Sequence, residues 1–253
     1  MTKETKSYQI YTSKVRYMVM HTQLLDASLS MSKNACAKKH WKKTIAQAIN
    51  VKNPCSEIQA PNISSERNRV FAFSRSKIYE QTIIDLYRFF SEYMKNLIKE
   101  FLDGDYDSLL NSVAQNKDNK MEFIKILKLN DFDAIKDEMA RIIFRRFENE
   151  RSTPELLNKI LTYARITIPE SIKEDALLYL EIRHLIIHNA SVADEAYKIR
   201  NTANKVELLD GDKISFTYKL FDNAVNAINA LCQMLDTELL KKMLVKPRTG
   251  ATK

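Results

Sequence analysis

The segment that most restricts how this chain can fold is Leu177 to Asn189, Leu-Leu-Tyr-Leu-Glu-Ile-Arg-His-Leu-Ile-Ile-His-Asn. At about 100° per residue, Leu177, Glu181, His184 and His188 fall on one strip roughly 60° wide. Leu178, Leu180, Leu185 and Ile187 flank the strip, and Ile182 and Ile186 cover the back. A helix that is apolar nearly all round is buried on most faces. Other elements must therefore surround it, and polar groups carried inside need partners or a task.

The surrounding elements read as helices. The 253 residues contain only 3 Gly and 5 Pro, too few for a turn-rich β fold. Tyr8 to Leu29 has apolar spacing that allows one helix. Ser74 to Leu102 repeats apolar residues three and four apart, with Gly104 just beyond its end. Shorter helical segments follow at 106–115 and 120–128. Asp131 caps a helix to about Glu150, and Thr153-Pro154-Glu155 starts another that ends near Ala164. Pro169 precedes the central helix, which begins near Glu170 or Ser171. Asp210-Gly211 between two β-prone runs predicts a hairpin with a primed turn. The last helix runs from about Thr217 to Leu244 and stops at Pro247. The predicted fold is all-α: a helical bundle with one short β-hairpin before the last helix.

Charge divides the chain unevenly. Residues 1–70 hold 12 Lys or Arg against 4 Asp or Glu, while the remainder balances at 28 and 28. The net +8 therefore belongs to the first quarter, where a positive field attracts phosphate backbones. Residues 1–70 are read as a basic helical extension, 71–245 as the bundle and 246–253 as a disordered tail. Within the extension, five lysines from Lys33 to Lys43 interleave with His40 and Trp41. Two readings stand. Lys38, Lys39, Lys42 and Lys43 contact RNA phosphates while Trp41 stacks on a base, or the segment is a solvated helix start with Trp41 packed inward. A second basic face, Arg141, Arg145 and Arg146 with Arg151 beyond, is diluted by Glu148 and Glu150 and reads as solvated. Cys36, Cys55 and Cys232 form no zinc or redox pattern. The chain has no 18-residue apolar run and no apolar leader, which points to a cytoplasmic protein with no membrane partner.

The charged strip admits three chemistries. His184 and His188, four apart, could bind a metal with Glu181, but that spacing is weakly specific. The histidines could instead be satisfied in a core. In the third reading, Arg183 and His188 serve one phosphate. They stand about 140° apart on the wheel, so they meet only if the helix end distorts or two chains join across a two-fold axis. RNA cleavage needs few parts. The 2′-hydroxyl loses a proton and attacks phosphorus, the leaving 5′-oxygen gains one, and the phosphoryl charge is stabilised. Histidine serves as base or acid, and arginine offers a charged fork to phosphate oxygens. That chemistry calls for no metal and no cofactor.

Arg183-His184-Leu-Ile-Ile-His188-Asn189 resembles the Arg-polar-x-x-x-His signature of the HEPN superfamily. The flanking pattern is similar too: a Leu-rich upstream segment, Val192 to Tyr197, the hairpin and a long final helix. The resemblance spans roughly residues 70 to 245. It implies a helical bundle and a metal-independent endoribonuclease of toxin, antiviral or stress-response type. It also implies a homodimer formed through the motif-bearing helix, with a neutralising or activating partner protein. Arg183 and His188 would be the catalytic pair. His184 occupies the polar second position, more often Asn in the family, which leaves its catalytic role open. Glu181 and Asn189 would support them.

Overall fold

A computed structural model describes residues 4–38, 44–50, 63–104, 127–129, 131–149 and 153–248. Its helices, in chain order, are α1 (Lys6–Ala37), α2 (Ile45–Ile49), α3 (Ser64–Gly104), α4 (Phe132–Asn149), α5 (Thr153–Ala164), α6 (Glu170–His188), α7 (Glu195–Arg200) and α8 (Tyr218–Lys241). A two-stranded antiparallel hairpin, β1 (Leu208–Leu209) and β2 (Lys213–Ile214), precedes α8. The fold is an all-α bundle, as the periodicity predicts. Of the segments expected as helices at 106–115 and 120–128, residues 106–115 and 120–126 lie outside the described residues.

The 41 residues of α3 make a rod about 62 Å long. It begins ten residues before the expected Ser74, because Phe71 has its own small apolar cluster to enter. That cluster joins Cys36 at the end of α1 and Ala48 of α2. Along its length α3 meets α1, α4, α6 and α8.

The first helix is part of the bundle rather than an appendage to it. Tyr8, Tyr11, Val15 and Met18 share one core with α3, α6 and α8. Tyr8, Tyr11 and Tyr93 stack and tilt against one another at 5.4–6.3 Å between ring centroids. Buried hydroxyls need partners. The Tyr11 hydroxyl donates to Asn229 Oδ1 at 2.7 Å and the Tyr93 hydroxyl to the Cys232 carbonyl at 3.2 Å, both on α8. The boundary expected near residue 70 falls inside α3. The boundary at 246 is also corrected: the backbone N–H of Arg248 donates to the Glu4 carbonyl at 3.0 Å, so the chain is held against its own start up to that residue.

Two turns differ from their expected form. α8 stops at Lys241, well before Pro247. Met243 takes a left-handed conformation, and the N–H groups of Met243 and Leu244 reach back to the Leu240 and Leu239 carbonyls. In the hairpin, Leu209 faces Lys213, so Asp210, Gly211 and Asp212 form the loop. The left-handed residues are Gly211 and Asp212 (φ 74° and 59°), not Asp210 and Gly211.

The start of α1 is fixed by a buried carboxylate. Thr5 caps α1 by accepting from the Tyr8 N–H, and its hydroxyl and backbone N–H both donate to Asp236 of α8. Burial pushes the Asp236 carboxyl above its ordinary value, against the lowering effect of the Thr5 hydrogen bonds. A carboxyl raised in the folded state holds its proton more tightly there than in the unfolded chain. Its contribution to stability is therefore present in acid and is lost as pH rises through the raised value. The stability of the wild type relative to Asp236→Asn should fall as pH rises from about 3.5 toward neutrality. Urea unfolding at a series of pH values checks this, and a constant difference would contradict it.

Candidate functional site

The site is built on α6. Its residues Ala176 to Leu180, with Ile182 and Leu185, are buried, chiefly against α8 and also against α3 and α5. Each such Leu or Ile stabilises the seating of the helix by about 1.5–3 kcal/mol. The last turn is different. Ile186 is only partly buried, Ile187 is 47% exposed, and His184, His188 and Asn189 are exposed. The expectation that α6 is buried on most faces is thus corrected, because among the described residues no neighbouring helix covers its C-terminal turn to that extent. The imidazoles are not sealed in the core.

The structure brings His184 and His188 together, their ring centroids 4.7 Å apart and their planes tilted by 42°. Their spacing of four puts them one turn apart on one face. Arg183 goes elsewhere. Its guanidinium carbon stands 5.0 Å from the centre of the Tyr87 ring on α3, a cation–π contact that fixes the direction of the side chain. Among the described residues, Arg183 has no hydrogen bond or ion pair, so its donor fork is uncommitted. Glu181, half-buried, pairs with Arg200 of α7. Among the described residues, no group of three or more His, Cys, Asp and Glu is placed to hold a metal ion, and Glu181 does not complete such a set with the histidines.

The chain leaves α6 abruptly. Ala190 and Ser191 both have positive φ, 50° and 64°, although neither is glycine. Such residues cost about 1–2 kcal/mol each relative to ordinary backbone. Their conformation is held from several sides. The Asn189 and Ser191 N–H groups both donate to the Leu185 carbonyl, at 3.0 and 2.9 Å. The Asn189 side chain donates to the Val192 carbonyl at 2.7 Å. The hairpin then grips the outgoing strand: Ile214 N–H donates to the Ser191 carbonyl, and Ala193 N–H to the Asp212 carbonyl. Asn189 therefore supports the site by shaping its exit turn. Two ion pairs, Arg200–Glu181 and Lys205–Asp175, tie the segment from α7 to the hairpin back onto α6.

No protein-family model, no curated protein and no solved structure matches the chain. The chemistry must be read from the side chains alone. Two adjacent exposed imidazoles offer a proton donor and a proton acceptor side by side. An uncommitted guanidinium on the same helix offers a fork for oxyanions.

The other candidate residues divide by location. Lys38 is exposed just past the end of α1, whereas Lys39, His40, Trp41, Lys42 and Lys43 lie outside the described residues. Arg141 is held bidentately by Glu138 of its own helix, which fits a solvated face. Arg151 and Cys55 lie outside the described residues. Cys36 and Cys232 are buried, and burial raises both thiols. Among the described residues, no helix is long and apolar enough to cross a membrane. Sequence reasoning missed Tyr87 as the platform for Arg183, Arg200 as the partner of Glu181, and the Ala190–Ser191 turn. Tyr87 is visible in the sequence only as one more apolar position of α3.

Because Ala190 sits in the left-handed region, Ala190→Gly removes its steric cost. The substitution should stabilise the fold by about 0.5–1 kcal/mol, the relief being partly offset by the greater freedom of glycine when unfolded. Denaturant titration of the variant checks the sign, and a loss of stability would contradict the account of this turn.

Proposed function

We propose that the chain is a metal-independent endoribonuclease in which Arg183, His184 and His188 act on RNA by 2′-hydroxyl attack. The observation that carries this reading is the pairing of two exposed imidazoles on a helix whose Arg183, next to His184, is stacked on Tyr87 with no hydrogen bond among the described residues. One imidazole takes the 2′-hydroxyl proton while the other protonates the departing 5′-oxygen. Arg183 neutralises charge on the phosphoryl oxygens. The likeness to the HEPN signature supports the same assignment. It also supports a role as a toxin or a defence effector, with a neutralising or activating protein partner.

The reading includes a homodimer through the C-terminal turn of α6. Arg183 leans toward α3 while His188 ends the helix, so a second copy related by a two-fold axis supplies the complementary group to one phosphate. The exposed Ile187 beside the imidazole pair gives such a contact an apolar centre. The stacking of Arg183 on Tyr87, on a different side of the helix from the imidazoles, favours a second reading. In that reading, the same groups hold RNA or a nucleotide, or dock a protein, without turnover.

His188→Ala should lower RNA cleavage by about 10²–10⁴-fold while leaving thermal unfolding unchanged, since the side chain is exposed. The wild type should leave 2′,3′-cyclic phosphate ends, with or without EDTA. Tight binding of RNA that stays intact would support the binding module instead. Cleavage that persists in the variant would remove His188 from the chemistry.

A further inference from the structure

The solvent side of α1 carries a second pattern. Ile10, Tyr17, Leu24 and Met31 are exposed, and they recur at intervals of seven residues. Leu24 and Met31 are 65% and 73% exposed, values unusual for such side chains in a folded helix. Met20 and Ala27, also exposed, fill the positions three residues after Tyr17 and Leu24. By helical period this stripe lies roughly opposite the face that buries Tyr11, Val15, Met18 and Thr22. The core therefore does not account for it. A seven-residue repeat drifts about 20° per heptad on a straight helix, and a second helix wrapping left-handedly follows that drift.

The charges beside the stripe have one sign. Lys6, Arg16 and Lys38 are exposed on or beside it. Neither acid of α1 and its cap region flanks the stripe: Asp26 is bound by Arg75 of α3, and Glu4 precedes the helix. Flanking charges choose the partner of a heptad seam. A second copy of α1 would bring only the same basic groups, Lys6, Arg16 and Lys38, to the seam, with no acid to offset them. A membrane surface needs an apolar face but no seven-residue register.

We propose that the outward face of α1 docks an amphipathic helix of another protein, one with an apolar heptad seam flanked by Asp and Glu. The helix is about 48 Å long, which gives such a partner roughly four heptads of contact. Because α1 is fixed to α3 and α8 by the tyrosine cluster, the seam is a rigid, preformed surface.

The probe is a labelled synthetic peptide of about four heptads with Leu at the seam positions and Glu at the flanks. Fluorescence anisotropy with the full chain should show saturable binding that weakens from about 50 mM to about 500 mM salt. The variant Leu24→Ser/Met31→Ser should bind about tenfold or more weakly with unchanged thermal unfolding, since both side chains lie outside the core. The same peptide with Lys at the flanks should not bind. Any of five results would overturn the proposal. The acidic peptide fails to bind, or the Lys-flanked peptide binds equally. The double variant binds the acidic peptide as well as the wild type does. Sedimentation shows the variant turning a self-paired chain into a monomer, or the stripe governs binding to anionic phospholipid vesicles but not to the peptide.

Discussion

The burial of the middle of α6, from Ala176 to Leu185, is the interaction on which the presented end of the helix depends. Leu178, Leu180, Ile182 and Leu185 bind it to the bundle, and the same rigid helix then carries His184 and His188 into solvent. The seating and the chemistry share one element but different faces. Substitutions at the exposed turn therefore test function with little cost to folding, whereas changes behind it cost several kcal/mol through cavities. The hairpin completes this arrangement. It is too short to be a layer of the fold, but its hydrogen bonds to Ser191 and Ala193 hold the turn that ends the helix.

A second constraint runs between the two ends of the chain. Thr5, Tyr8 and Tyr11 meet Asp236, Asn229 and Tyr93, so α1 is locked to α3 and α8 at its start. This changes the meaning of the basic first quarter. The basic residues that α1 carries are mounted on the bundle rather than trailing from it. One side of α1 is core, and the other is a cationic apolar stripe suited to an acidic helix.

Much of the fold was legible because helical signals are local. Helices do start at Asp131, Thr153-Pro154, Pro169 and Thr217: the Asp131 and Thr217 side chains accept from first-turn N–H groups, and the prolines bring no N–H of their own to the helix start. What failed to show in the sequence depends on neighbours. A helical wheel places Leu177 and His188 on one strip, yet Leu177 is buried and His188 exposed, because burial changes along a helix as its neighbours end. The 3.6-residue period does not say that Arg183 finds Tyr87 about a hundred positions earlier. Nor does it say that Ala190 and Ser191 adopt left-handed backbone, which glycine would have signalled. The domain boundary near residue 70 failed for the same reason. Pro54, Pro61 and a polar run resemble a linker, while the tyrosines that tie α1 into the core lie well upstream.

The central proposal is that His184 and His188 on the exposed turn of α6 grip an anion, with Arg183 of the same helix or of a second copy supplying the guanidinium. It is tested most directly by NMR of the isotope-labelled full chain titrated with a short single-stranded oligonucleotide whose 2′-hydroxyls are methylated, so that it binds without being cut. The account predicts that the imidazole C2–H signals of His184 and His188 move together and saturate together, that His21 on α1 stays still, and that Arg183→Ala abolishes the movement. Unmoved signals at saturating oligonucleotide, or a response confined to His21, would contradict it.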